Sequence, residues 1–203
     1  NEVLVRPVQQ VQFTDNFVDG VSYSTTSGLM GTTGTNESGG ENLQGAFLYR
    51  PGDIITLTVG DVIIAEFSAD NMEGSLLFLQ DIAGVKLSDV NNEYVENMAI
   101  FLQAFDSNGD PDDGIQISEA VHDFFTEYTD QGTGEPLNLA TAGKQMLANA
   151  FAAAAEATDA EGKNLNLLAE GFEFTTQSET DSDGPNADGL LENVMETGAL
   201  EHV

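Results

Sequence analysis

The sequence predicts an α+β fold in which a β-rich N-terminal part, residues 1–70, precedes a mainly helical part, residues 88–203, around one core. Two observations lead to this prediction. Short runs of β-branched and aromatic residues, separated by turn residues, fill the first third of the chain, and this pattern is typical of strands. Further along, apolar residues recur at helical spacing. The 203 residues, 40% of them hydrophobic, are enough for one sizeable core.

The strand prediction covers seven short segments. The pair Gly60-Asp61 between two of them indicates a tight hairpin of type II′, and Pro51-Gly52 ends another. Residues 28–45 are rich in Gly, Thr, Ser and Asn, which predicts a long surface loop or an irregular hairpin. The predicted strands are 3–5, 11–13, 21–24, 46–49, 54–59, 62–67 and, late in the chain, 172–175.

Four helices are predicted from apolar spacing and capping residues. Asn91 or Asn92 caps a helix that runs to Phe105, and Ser118 caps the next one. An alanine-rich helix spans 141–157, and a last one surrounds 190–195. We interpret their apolar stripes as core packing rather than as a cofactor site.

Composition excludes several classes of function. Thirty-five acidic residues against five basic ones give a formal charge of −30, which argues against binding nucleic acid or anionic lipid. The absence of cysteine excludes disulfides and thiolate metal sites. The apolar runs are too short to span a bilayer. Because Asn1 is neither an initiator methionine nor the start of a signal peptide, we expect residues 1–203 to be one domain of a longer protein.

The acidic stretch DSNGDPDDGI, residues 106–115, predicts a calcium site. Ca²⁺ takes about six to eight oxygen ligands, and an alternating run of Asp and Asn brings them together in one tight turn. The EF-hand pattern is only partly met, because Pro111 stands where a glycine is usual and the closing glutamate comes two residues late. The alternative is a solvated acidic turn that caps the next helix. The candidate ligands are Asp106, Asn108, Asp110, Asp113, the Ile115 carbonyl and Glu119.

Two further acidic segments are weaker calcium candidates. Residues 179–189 contain Asp181, Asp183, Asn186 and Asp188, with a flexible polar loop as the alternative. Asp15 and Asp19, just before Gly20, form a shorter pattern.

Nothing in the sequence indicates an enzyme. His122 and His202 have no spacing typical of a zinc site or a catalytic triad. The glycine patterns of nucleotide-binding loops are absent. In so acidic a chain, any chosen pair of carboxylates is uninformative about glycoside hydrolysis. We therefore expect a non-enzymatic protein.

Two ordered blocks carry a family resemblance. The first is DGVSYSTTSG followed by GAFLYRPGDIITLTVGDVII, and the second is VENMAIFLQAFDSNGDPDDGIQIS. Together they resemble the calcium-dependent peptide-binding domain of giant RTX-type adhesins of marine and enteric Gram-negative bacteria. The resemblance covers residues 15–118 and continues more loosely to the end of the chain.

The resemblance implies a calcium-loaded module, extracellular after type I secretion, within a long multidomain adhesin on the bacterial surface. Such a module is monomeric and recognises the free C-terminus of short peptides on proteins of host or algal cells, which promotes adhesion and biofilm formation. It also implies that Asp106, Asn108, Asp110 and Asp113 belong to a calcium loop. Two alternatives remain open: a calcium-rigidified structural or extender domain, and a carbohydrate-binding module, which the absence of Trp disfavours.

A carboxylate-binding pocket in a chain of charge −30 needs local positive potential. A partly open Ca²⁺, a basic side chain or a set of backbone N–H groups can supply it. Arg50 follows a predicted strand at a turn, where its guanidinium can make a bidentate contact. Our predicted ligand-binding residues are Arg50, Tyr49 and Tyr23, with an ordinary surface ion pair as the alternative role for Arg50.

Overall fold

The computed structural model describes residues 6–35, 43–88, 92–107 and 114–165, and within them the predicted α+β fold is confirmed. Strands dominate the first half and helices the second. The strands are β1 Gln9–Thr14, β2 Val18–Asp19, β3 Ser22–Thr25, β4 Met30–Thr32, β5 Ala46–Tyr49, β6 Ile54–Val59, β7 Val62–Ser68, β8 Leu76–Phe78 and β9 Ile115–Gln116. The helices are α1 Leu79–Ala83, α2 Glu93–Ala104, α3 Glu119–Glu127 and α4 Lys144–Ala155, with a short 3₁₀ helix at Ala69–Asn71.

The strands of the described residues form three sheets. An antiparallel sheet has the order β4-β3-β6-β7, and a second sheet has the order β5-β1-β8. In the second sheet β1 pairs antiparallel with β5 but parallel with β8. The third consists of β2 and β9, which are parallel although strands β3 to β8 and helices α1 and α2 lie between them along the chain.

The hairpin between β6 and β7 has the predicted glycine. Gly60 has a φ of +55°, whereas the φ of Asp61 is not positive. A positive φ at the first of the two central residues alone fits the II′ turn. A Cβ atom on Gly60 would lie 2.5 Å from the His122 carbonyl oxygen. Glycine is therefore required here both by the turn and by the close approach of α3.

Both predicted helix caps are confirmed. The Asn92 side chain accepts hydrogen bonds from the N–H groups of Tyr94 and Val95, and Ser118 accepts one from Val121. The alanine-rich helix begins at Lys144 rather than at residue 141. The Asn138 carbonyl accepts from the N–H groups of residues 141 and 142, so a turn occupies the positions before the helix.

The predicted apolar stripes of α2, α3 and α4 meet in the core. Phe101 and Phe105 of α2 lie with ring centroids 4.9 Å apart. Phe105 also contacts Phe125 of α3 at 4.9 Å and Phe151 of α4 at 5.6 Å, both edge to face. Such aromatic pairs add to the free energy gained from burying the rings, so this cluster joins the three helices to one another.

Several elements lie beyond what the sequence predicted, and several predictions lie beyond the described residues. Strand β8, helix α1 and the pair β2–β9 were not predicted. The predicted strands at 3–5 and 172–175 and the predicted helix at 190–195 lie outside the described residues. No helix in the described part of the chain is long and apolar enough to cross a membrane.

Candidate functional site

The chain segment at Asp15–Asp19 lies directly beside the acidic loop. Strand β2 pairs with β9, which follows that loop. The N–H of Ile115 donates to the Phe17 carbonyl at 3.1 Å, and the N–H of Ile117 donates to the Asp19 carbonyl at 3.0 Å. Two acidic segments that the sequence analysis treated as separate calcium candidates are therefore neighbours.

Unusual backbone conformations hold these two segments together. Asn16 and Phe17 have φ values of +69° and +56°, a region that costs a non-glycine residue about 1–2 kcal/mol. Gly114 has a φ of +96°, and a Cβ atom on it would lie 2.9 Å from the Phe17 oxygen and 3.0 Å from the Asn16 oxygen. The end of the acidic loop thus packs against the carbonyls of a strained turn, and only glycine fits there.

Asp106, the first predicted calcium ligand, is buried, with 3% of its surface exposed. Its Oδ1 accepts a hydrogen bond from the N–H of Gln116 at 2.9 Å. The N–H of Ser107 donates to the Gln116 carbonyl at 2.8 Å. These bonds close the acidic loop at its base, so that its first residue and the strand after it are held in contact.

Gln103 links the acidic loop to Asp15. Its side-chain Nε2 donates to Asp15 Oδ2 at 3.3 Å, and its carbonyl accepts from the N–H of Asp106 at 3.4 Å. Asp15 is 3% exposed and Gln103 is 9% exposed. Gln103 Oε1 is buried and has no hydrogen-bond partner among the described residues. A buried amide oxygen in this state is costly unless something binds it.

The donor set fits a hard cation. Two buried carboxylates and an unpartnered amide oxygen are all oxygen ligands, which Ca²⁺ prefers over nitrogen or sulfur. Within the described ranges, which omit residues 108–113, no group of three His, Cys, Asp or Glu side chains is arranged to hold a metal ion. In this arrangement Gln103 would contribute the third side-chain oxygen beside Asp15 and Asp106.

The other predicted calcium ligands have different positions. Ile115 is buried in β9, and Glu119 is exposed at the start of α3. The remaining candidates all lie outside the described residues: Asn108, Asp110, Asp113, Asp181, Asp183, Asn186 and Asp188.

Asp19 does not share the contacts of Asp15. Its carboxylate accepts a hydrogen bond from the Gly45 N–H and lies against Gly34. Burial raises the pKa of Asp19 above its usual value, and the hydrogen bond from Gly45 only partly offsets this. The carboxylate of Asp19 therefore contacts Gly34 and Gly45, while its backbone faces β9.

The two predicted ligand-binding tyrosines are core residues. Tyr23 and Tyr49 are each 7% exposed, and burial raises the pKa of both hydroxyls. The ring of Tyr23 lies 5.4 Å from that of Phe47. Tyr49 is the last residue of β5, directly before Arg50, and Tyr23 of β3 packs against Phe47 of the same strand β5.

Two hydrogen bonds connect the segments that contain Arg50 and Arg6. Arg50 Nη1 donates to the Arg6 carbonyl at 2.6 Å, and Arg6 Nη1 donates to the Pro51 carbonyl at 2.6 Å. The two arginines are the only ones in the chain. Nothing local in the sequence distinguishes Arg6, an arginine before a strand, as a partner of Arg50.

A groove of about 650 Å³ lies between α3 and residues 157–165. Five carboxylates line it, together with the apolar side chains of Phe124 and Leu165. Its charge is unsuited to an anionic ligand. The carboxylates are Glu119, Asp123, Glu127, Asp159 and Glu161.

Comparison of the chain with protein-family models, curated proteins and solved structures gives no match. The family resemblance drawn from the two sequence blocks stays a prediction.

Proposed function

We propose that this chain is a calcium-dependent ligand-binding module of a bacterial surface adhesin, which recognises the free C-terminus of short peptides on host or algal cell-surface proteins. Capture of such termini would promote adhesion and biofilm formation. The observation that supports the calcium part best is that Gln103 contacts both Asp15 and Asp106 at the base of the acidic loop while its own Oε1 has no partner among the described residues. The sequence resemblance supports the peptide part.

Calcium suits this position on electrostatic grounds. Burying carboxylates in a chain of charge −30 is unfavourable unless a cation offsets their repulsion. An ion at the base of the loop would touch α2 through Gln103 and the β-rich part through Asp15. Its binding free energy would then stabilise the fold as a whole, since only the folded chain brings these oxygens together.

Thermal melts with and without calcium test the metal site. Asp106→Ala combined with Asp110→Ala is expected to lower the melting temperature more in calcium buffer than in EDTA, where the cost of losing the hydrogen bond from the Gln116 N–H to Asp106 remains. The matched control is Asp123→Ala with Glu127→Ala, which removes the same charge from the exposed face of α3. An equal loss in both buffers would contradict a structural calcium ion.

Calorimetric titration of the calcium-saturated protein tests the ligand. A short peptide ending in a free-acid Asp is compared with the same peptide amidated at its C-terminus. Binding of the free acid alone is the expected result. Calcium stabilisation with no binding of peptides or glycans would favour the extender-domain alternative, and competition by a simple sugar would favour the carbohydrate-binding one.

A further inference from the structure

Arg6 precedes β1 and Arg50 follows β5 at the same end of this antiparallel strand pair, and each guanidinium donates to a backbone carbonyl of the other segment. We infer that these two arginines, called here the arginine clasp, are the receptor for the terminal carboxylate of the ligand. The inference rests on the proposed function and adds a named site to it. It makes Arg6, rather than the two buried tyrosines, the partner of Arg50 in binding.

Strand register places the two arginines side by side. In the antiparallel pair β1–β5, Gln9 lies opposite Tyr49. Continuing this register beyond the strand ends brings Arg6 next to the turn after Arg50. The turn is closed by the bond from the Asp53 N–H to the Arg50 carbonyl at 3.0 Å.

Gly52 leaves room for the side chain of Arg6. Gly52 has a φ of +80°, which suits the third position of a type II turn after Pro51. A Cβ atom on Gly52 would lie 2.1 Å from Arg6 Nη1. The Pro51-Gly52 turn is therefore shaped to accept a guanidinium, and this fixes one half of the clasp.

The clasp keeps its charge available to a ligand. Neither arginine forms an ion pair with a carboxylate of the described residues. Among those residues, an ion pair joins Lys144 to Glu96. The two carboxylates beside the turn have other bonds. Asp53 accepts from the Arg50 backbone N–H at 2.8 Å, and Asp70 accepts from the Gly52 N–H at 3.1 Å. They hold the turn without contacting either guanidinium.

Two cationic side chains held at one turn favour an anion beside them. Each guanidinium carries five N–H donors, and the bonds to the Pro51 and Arg6 carbonyls use one Nη1 atom of each arginine. The donors that remain form planar forks, which match the two oxygens of a carboxylate. In a chain with 35 acidic residues, two arginines at one turn, neither paired with a carboxylate of the described residues, are the positive site best suited to a peptide terminus.

Because the chain contains only two arginines, nuclear magnetic resonance can observe the clasp directly. The calcium-saturated protein, labelled with ¹⁵N, would show two arginine Nε–H signals. The free-acid peptide is expected to shift both, and the amidated peptide neither. Arg6→Gln and Arg50→Gln assign the signals and are each expected to weaken binding of the free-acid peptide about tenfold or more, as for loss of a charge-assisted hydrogen bond.

Lys86→Gln is the matched control, because it removes one positive charge from an exposed position that follows helix α1. Arg50→Lys keeps the charge but loses the fork, and is expected to restore binding only in part. Thermal melts confirm that each variant is folded. Unchanged affinity in the Arg6→Gln, Arg50→Gln double variant would overturn the clasp and leave the proposed function standing. If the wild type binds neither peptide, both are overturned.

Discussion

The imidazole of His122 joins the Gly20 carbonyl to the tip of the β6–β7 hairpin. His122 Nδ1 accepts a hydrogen bond from the Gly60 N–H at 2.9 Å, so Nε2 carries the proton and donates to the Gly20 oxygen at 2.6 Å. One side chain of α3 thereby connects two loops of the β-rich part. Gly20 itself must be glycine, because a Cβ atom there would lie 2.1 Å from the Ile117 oxygen.

His122→Ala is predicted to destabilise the protein through the loss of both bonds. Two hydrogen bonds with partly buried backbone groups account for about 2 kcal/mol of unfolding free energy. In a domain of this size that corresponds to a fall of roughly 4–8 °C in melting temperature. Asp123→Ala, at the exposed neighbouring position, is the control. Equal melting temperatures for the two variants would show that the imidazole does not join the loops.

Gly114→Ala is predicted to be more destabilising than Gly134→Ala. Both glycines have positive φ, at +96° and +71°, so both variants carry the backbone cost of about 1 kcal/mol. Only at Gly114 does the added Cβ meet backbone oxygens, since the space around Gly134 is open. Chemical denaturation of the two variants isolates the contact between the acidic loop and the Asn16–Phe17 turn. Equal losses would mean that the turn moves aside without cost.

Asp53 is predicted to make stability depend on pH near the carboxylate range. Burial alone would raise its pKa, but hydrogen bonds from the Arg50 N–H, the Ser27 hydroxyl and N–H and the Thr26 hydroxyl together lower the pKa of Asp53 below its usual value. A lowered pKa in the folded state means that the stabilisation is present above the unfolded pKa of about 3.9 and is lost as the pH falls through the folded pKa.

Denaturation of the wild type and of Asp53→Asn between neutral pH and pH 3 measures this contribution. The variant should be less stable at neutral pH, and the gap should narrow as the wild-type carboxylate becomes protonated. Asp61→Asn, at the β6–β7 turn, is the control for a carboxylate outside this network. A gap that stays constant across the pH range would rule out the ionised form as the source of the stabilisation.

Local signals in the sequence were sufficient for the elements that depend on them. Helices α2 and α3 were predicted with their caps, because Asn92 and Ser118 act on N–H groups two or three residues away. The strands β2 and β9 were missed, since two-residue strands carry no periodicity and pair across the length of the β-rich part. Their pairing is a tertiary event that no local pattern encodes.

The candidate site residues also divide into those that local sequence indicates and those that depend on tertiary contacts. Asp106 was selected as a candidate from the spacing of the acidic loop, whereas Gln103 was not, because its contact with Asp15 joins residues 88 positions apart. On an apolar helix face a single glutamine looks like an interruption. Arg50 was selected for its place at a turn, but Arg6 becomes its neighbour only through the register of β1 and β5.

Gln103→Leu is predicted to weaken calcium binding more than it weakens the fold. Leucine occupies a similar volume, and an apolar side chain removes the buried oxygen that lacks a partner. In EDTA the variant should therefore melt close to the wild type, with the lost bond to Asp15 as the main cost. Calcium should raise the melting temperature of the variant less than that of the wild type. The calcium affinity should fall about tenfold or more, as for other groups around metal sites.

Gln80→Leu provides the matched control, because Gln80 is a buried glutamine of α1, 2% exposed, outside the acidic loop. Its calcium response should equal that of the wild type. If Gln103→Leu also keeps the full calcium response, then Gln103 Oε1 is not a ligand, and the ion is held by the acidic loop without α2. If both glutamine variants lose the response equally, the effect belongs to general core destabilisation.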